Sequence, residues 1–251
     1  VIGLNGGQPI LDGGIGAGQQ YTTKTDNGQP VGSFYVYNVL GVFQTDEEVI
    51  AYKNTGGEVI QPSAAACDFK YQDVNDDGKI DDNDRVFAGS YQPKAYMGIN
   101  LGVSWKQFDF STDLYGAFGG KIYNGKKAFR QGLLDNVEKS MAYSRWTRGS
   151  GINDEPAANG GYLPASTYFV ESGDFIRINN LTVAYNLKSD FMKKMKAESG
   201  KIFIMAQNFF TFKKYSGFTP ELSSDSPTRS GIELNAYPTT KTLAFGLNIG
   251  F

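Results

Sequence analysis

Residues 242–251 read Thr242-Leu243-Ala244-Phe245-Gly246-Leu247-Asn248-Ile249-Gly250-Phe251. Leu243, Phe245, Leu247, Ile249 and Phe251 share one parity; Thr242, Ala244, Gly246, Asn248 and Gly250 share the other. Successive strand side chains point to opposite faces, so the segment has one wholly apolar side and one small or polar side. About ten residues of such alternation crosses a bilayer as a tilted barrel strand. A soluble sandwich strand can carry the same pattern. The length and the aromatic final residue favour a transmembrane β-barrel.

Two internal runs repeat the signal. Met97, Ile99, Leu101, Val103 and Trp105 alternate with Gly98, Asn100, Gly102 and Ser104. After Lys106-Gln107, the apolar set Phe108, Phe110, Leu114 and Phe118 opposes Asp109, Ser111 and Asp113. Two long alternating runs joined by about two residues predict an antiparallel hairpin over 93–118. Further strands are expected over 31–44, 174–187 and 201–212, with a short amphipathic turn at 189–196. Thr45 as N-cap and Glu48 three residues later predict a helix over 46–54, ending at Gly56-Gly57. Residues 119–171 and 213–236 have no strong strand pattern and read as long loops, with a short helix near 125–143.

Composition narrows the chemistry. The 251 residues include 31 Gly, 18 Phe and 15 Tyr, which suit strands, turns and aromatic girdles. Mean hydropathy is -0.35, but lumen-facing polar residues offset lipid-facing apolar ones in any barrel average. No run approaches about eighteen apolar residues, so no transmembrane helix is expected. With no histidine, Ser-His-Asp and Cys-His catalysis and the common zinc sites are excluded. Cys67 is the one cysteine, so no intrachain disulfide can form. A net charge of -2 offers no basis for nucleic-acid binding. The glycine-rich run Gly13-Gly14-Ile15-Gly16-Ala17-Gly18 lacks the Lys-Ser/Thr of a phosphate loop and reads as a turn-rich segment. Asp109 and Asp113, at i, i+4 on a strand, would stand about 13 Å apart, too far for a glycosidase pair.

The strongest chemical motif is Asp73-Val74-Asn75-Asp76-Asp77-Gly78-Lys79-Ile80-Asp81-Asp82-Asn83-Asp84. Oxygen side chains at positions 1, 3 and 5, Gly at 6 and a carboxylate at 12 match a calcium loop. Asp73, Asn75, Asp77, the carbonyl of Lys79 and Asp84 would be the ligands, and the ion would be structural. An unoccupied, internally hydrogen-bonded acidic turn is the alternative. No second loop or pair of long flanking helices supports a paired EF-hand.

Residues 69–85, the stretch Gly89-Ser90-Tyr91-Gln92-Pro93-Lys94, the turn Lys106–Ser111, residues 168–185, Asn208–Phe212 and the last strand together resemble a SusC/RagA-type TonB-linked outer-membrane transporter of Bacteroidetes. The resemblance covers about residues 30–251 of the sequence. It implies an all-β fold: the C-terminal antiparallel meander of a large transmembrane β-barrel, with long extracellular loops and short helices in them. Residues 30–92 would include an extracellular loop with the calcium-like motif, and 93–251 the barrel strands and loops. The plug and N-terminal domains of such transporters have no counterpart here, so Val1 is expected to be an artificial beginning and Phe251 an authentic end that serves as an assembly signal. The resemblance further implies no enzymatic activity and uptake of oligosaccharides or peptides. Its implied partners are the rest of the transporter chain, a SusD-like surface lipoprotein, the TonB complex and outer-membrane lipid. Tyr91, Tyr123, Trp146 and Tyr162 are aromatic enough to stack on sugars, but packing is the better reading for each. No substrate-binding residue is assigned. A secreted, calcium-stabilised carbohydrate-binding β-sandwich is the alternative.

Overall fold

Trp105, Phe108, Tyr185, Ile202 and Leu247 stand in one row across five antiparallel strands, fixed by backbone register. The computed structural model describes residues 7–131, 136–158, 161–194, 196–222, 224–234 and 236–251. In chain order the early elements are β1 (Ile10–Asp12), β2 (Thr23–Thr25), β3 (Ser33–Tyr37), β4 (Val39–Val42), α1 (Asp46–Ala51), β5 (Phe69–Tyr71) and β6 (Arg85–Phe87). The hairpin β7 (Ala95–Trp105) and β8 (Phe108–Phe118) follows, then β9 (Lys121–Asn124), α2 (Gly125–Arg130), α3 (Lys139–Ser144) and β10 (Val170–Ser172). The chain finishes with β11 (Phe175–Asn186), α4 (Ser189–Lys194), β12 (Ser199–Lys213), β13 (Ile232–Glu233) and β14 (Thr242–Gly250).

These elements form two units. One comprises Gln92–Gly120, Ser172–Glu221 and Ala236–Phe251, and is a five-stranded sheet of order β14-β12-β11-β8-β7. Every pairing in it is antiparallel and joins strands that follow one another among the sheet strands, as a meander requires. Parity is preserved from edge to edge. Val103, Phe110, Val183, Ile204 and Phe245 make a second apolar row, and Leu101, Thr112, Leu181, Ala206 and Leu243 a third. Ile99, Leu114, Ile178 and Phe210 continue it, then Met97, Gly116, Ile176 and Phe212.

Between the third and fourth rows both β11 and β12 slip. Asn179 is skipped in the register of β11 against both neighbours, and Asn208 in β12 takes φ of +52°. Asparagine tolerates that left-handed conformation better than most residues, so the bulge restores parity at small cost. Without it, every residue beyond would present the wrong face.

The apolar rows are exposed: Phe245 at 71%, Phe212 at 65%, with Val103, Trp105 and Leu247 similar. Five strands spaced about 4.8 Å apart, with rows extending about 27 Å along them, project an area of roughly 500 Å². The true accessible surface of these large side chains is greater, beyond what soluble monomers commonly leave bare. The opposite face carries Ser104, Asp109, Asn100, Asp113, Asn180, Thr182, Gln207, Thr242 and Asn248. No helix among the described residues is long and apolar enough to cross a membrane.

The other unit, Val1–Tyr91, Lys121–Glu171 and Leu222–Asn235, gathers the segments between the long strands. It contains the sheets β1-β2-β3-β6, β4-β5 and β10-β9-β13, the last with β13 parallel to β9. Phe34, Val36, Tyr123, Ala128 and Phe169 form one buried cluster; Val42, Phe69, Tyr71 and Trp146 form another. The expected helix over 46–54 is shorter. Tyr52 leaves it because its ring packs on Phe43 and its hydroxyl donates to the Tyr71 carbonyl at 2.7 Å. Thr45 caps as expected, but the Glu48 carboxylate accepts the N–H of Gln44 rather than that of Thr45. The helix expected near 125–143 is two, α2 and α3, and residues 132–135 lie outside the described ones.

On the polar face a Cβ at Gly246 would overlap the ring of its cross-strand partner Phe203. Gly246→Ala should therefore destabilise the sheet by about 1–3 kcal/mol in denaturant unfolding. In a Phe203→Ala background the same substitution should be close to neutral; an equal loss in both backgrounds would place the strain elsewhere.

Candidate functional site

The acidic loop runs from β5 to β6, and its shape follows from short polar side chains closing on nearby backbone. Asp73 Oδ2 accepts the N–H of Gly78 at 2.9 Å, folding the loop over itself. Asn75 Oδ1 accepts from Asp77 and Asp77 Oδ1 accepts from Lys79, each at 3.2 Å. Gly78 has φ of +82°, the left-handed turn for which glycine is suited. Asp76 also has positive φ, and its carboxylate accepts the N–H of Thr55 at 2.9 Å, tying the loop to residues 54–58.

Asp84 closes the loop from the far end. It is fully buried, with Oδ1 accepting from Val74 N at 2.8 Å and Oδ2 from Asp81 N at 2.7 Å. Asp81 in turn accepts from Asn83, completing a reciprocal cap on the 3-10 turn Asp82–Asp84. That bond, with the Lys79 ammonium 2.9 Å away, holds the Asp81 carboxyl below the usual carboxylate range.

Arg85 follows immediately and anchors the exit. Its guanidinium lies between the Tyr21 and Tyr37 rings, with Nε 3.0 Å from Asp82. Burial opposes the charge on Asp82, but hydrogen bonds from Tyr21 and Arg85 outweigh it and lower its pKa. Burial and the same carboxylate push the Tyr21 hydroxyl up to about 12.

All five expected ligands, Asp73, Asn75, Asp77, Lys79 and Asp84, thus sit in one closed loop. The side chains of Asp73, Asn75, Asp77 and Asp84 accept backbone N–H groups, the Lys79 ammonium lies against Asp81, and among the described residues no three His, Cys, Asp or Glu converge as a metal requires. One oxygen departs from this economy: Asp73 Oδ1 is buried and has no hydrogen-bond partner. An anionic oxygen left so is what a cation would satisfy.

Tyr123 and Trp146 are buried in the two cores, and Tyr91 donates to the Leu222 carbonyl at 3.0 Å. These three pack. Tyr162 is half exposed. Phe251 follows the end of β14 and is 84% exposed. On the polar sheet face, Asp109 accepts from Ser104, Asn186 and Lys201 at 2.8–2.9 Å. Three donors make it a structural anchor rather than a free carboxylate. Nothing local in the sequence marks this network, because Asn186 and Lys201 become neighbours of Asp109 only through sheet register.

No protein-family model matches the chain. The TonB-dependent receptor P3 of Formosa agariphila is 26% identical over 93% of the chain and 23% of its own length. The TonB-dependent receptor SusC of Bacteroides thetaiotaomicron is 28% identical over 72% of the chain and 17% of its own length. The chain thus spans about a quarter or less of the relatives it matches. Among solved structures, the RagAB peptide transporter matches 92% of the chain and 24% of its own, with TM-score 0.69 and 21% identity. The closed-closed state of the RagAB peptide importer matches the same share with TM-score 0.66 and 23% identity.

Asp84 also yields a direct test. Asp84→Ala removes the acceptor of two part-buried N–H groups, those of Val74 and Asp81, and should cost about 2–3 kcal/mol in unfolding free energy. Asp84→Asn keeps an acceptor and should cost less; equal losses would show that charge rather than hydrogen-bond capacity is what the loop requires. The sequence relatives are TonB-dependent receptors and the fold neighbours are RagAB structures, so the chain is similar to a part of a SusC/RagA-type TonB-dependent transporter.

Proposed function

We propose that the chain supplies part of the wall and outer loops of an outer-membrane transporter that imports large nutrients and is not an enzyme. The observation that carries this reading is the sheet with five exposed apolar rows on one side and carboxylates, amides and hydroxyls on the other. Lipid on the first face and water on the second satisfy both. The edges of β7 and β14 have no partner strand among the described residues. Unpaired backbone groups cost several kcal/mol each in hydrocarbon, so further strands of a larger barrel would continue the sheet at both edges. The cargo in this reading is an oligosaccharide or a peptide. The latter is supported by the RagAB peptide importer whose fold the chain shares. A SusD-like lipoprotein would act as lid and the TonB complex would supply energy. The exposed Phe251 is read as an assembly signal, so its deletion should reduce the amount of protein inserted.

The lipid reading has a two-sided test. Val183→Arg, in the second apolar row on the middle strand, should cost about 2–4 kcal/mol in folding into bilayers. Thr182→Arg, one residue away on the opposite face, should be nearly neutral. Equal penalties would overturn the membrane assignment. Uptake is tested separately, by restoring growth on a candidate glycan or peptide to a strain lacking the transporter.

A structural calcium ion in the Asp73–Asp84 loop belongs to the same reading. It is supported by the ligand spacing and by the unpartnered Asp73 Oδ1. Binding would require the Asp73, Asp77 and Asp84 carboxylates to draw together. Chelation should lower the melting temperature of the parent by several degrees and leave Asp73→Ala unchanged; a parent indifferent to chelator would remove the ion.

A further inference from the structure

Beside α1 and the β4-β5 pair lies an open crevice of about 670 Å³ whose chemistry neither the fold nor the acidic loop uses. Its volume falls within the range of ordinary ligand sites. Lys53 and Lys70 both line it, and among the described residues neither is paired with a carboxylate.

The lysines differ in how they are held. Lys70 Nζ lies 4.1 Å from the centroid of the Tyr52 ring, which fixes the ammonium without neutralising it. Lys53 is exposed on the turn after α1 and is free to swing onto a ligand. A third donor faces them. Asn153 Oδ1 accepts the N–H of Val42 at 2.8 Å, which orients the amide, and its Nδ2 has no acceptor among the described residues. A Cβ at Gly41, where φ is +152°, would overlap this amide, so glycine keeps the wall open for Asn153. The one carboxylate in the lining, Glu48, is engaged with the Gln44 N–H at 2.7 Å.

We propose that this crevice binds a carboxylate-bearing saccharide, with Lys53, Lys70 and Asn153 as its donors. Two ammonium groups and an amide, left without acceptors around one opening, specify an anion and hydroxyl-rich neighbours. The opening is broad and its lining mixes polar groups with Leu40, Val42, Ala51 and Tyr52, which matches the hydroxyls and apolar ring faces of an acidic sugar. The inference rests on the transport reading only in treating the occupant as cargo; binding itself can be measured without transport.

Tetragalacturonate titrated into the detergent-solubilised protein is the direct probe, with maltotetraose and tetraglutamate in parallel. Saturable binding of the uronate is expected, weakened by added salt, with little binding of the neutral sugar. Lys53→Gln and Lys70→Gln should each weaken it about tenfold, the worth of one charge-assisted hydrogen bond. Lys70→Arg should retain it. Lys53 is exposed, so its variant reports on binding even if Lys70→Gln disturbs the packing of Tyr52. Equal binding of maltotetraose, an unchanged affinity in Lys53→Gln, or binding of the peptide alone would overturn the proposal. Uptake failing while this binding persists would instead count against the transport reading.

Discussion

Backbone pairing across five long strands is the constraint on which the rest of the molecule depends. Once Trp105, Phe108, Tyr185, Ile202 and Leu247 are aligned by main-chain hydrogen bonds, every other residue of the sheet is assigned a side. A slip of one residue would put the small and polar side chains of that strand, and in β8 the carboxylates of Asp109 and Asp113, among the apolar rows. The bulge at Asn179 and Asn208 shows how narrow the tolerance is. Two strands deviate together and the rows resume on the same side. Packing contributes little to this choice, since many of the apolar side chains of the sheet are exposed among the described residues. The solvent on each side enforces the pattern.

That is also why this unit was legible in the sequence. Period-two alternation over about ten residues needs no knowledge of distant neighbours. The hairpin expected over 93–118 and the strands at 174–187, 201–212 and 242–251 all appear, with ends shifted by one or two residues. The second unit was far less legible. The strand expected over 31–44 is there, divided into β3 and β4, but the other strands of this unit are two to four residues long, too brief to show a period, and lie in stretches that read as turn or loop. Phe34, Tyr123 and Phe169 come from three separate segments, and only their meeting makes a core. The acidic loop was legible because its turn chemistry is local. The Asp109 network and the crevice were not, because each is assembled by residues far apart in sequence.

The acidic loop shows how a local motif acquires a structural role even before any ion is considered. Asp84 is the only fully buried carboxylate of the loop, and it carries the two hydrogen bonds that close it. Asp73 and Asp77 each satisfy one backbone donor, while Lys79 offsets part of the remaining charge. The loop can therefore hold its outline through hydrogen bonds, and a cation would add to that outline by relieving Asp73 Oδ1.

The two units also differ in how their contacts are distributed along the chain, and this bears on the order in which they form. In the sheet, β7 and β8 are joined by two residues and β11 and β12 by a short helical connection, so these hairpins close at small entropic cost. The other unit is held by very distant partners. Thr23 Oγ1 donates to the Thr228 carbonyl across 205 residues, and the Thr228 hydroxyl bonds Asp12 across 216. Tyr91 and Leu222 are 131 residues apart. None of these bonds is favourable until the intervening chain is largely placed, because loop closure must be met first. Local hairpins are therefore the natural early structures. The unit carrying the acidic loop and the crevice is completed only when the segment around Thr228 arrives, which makes its assembly dependent on the strands that precede that segment.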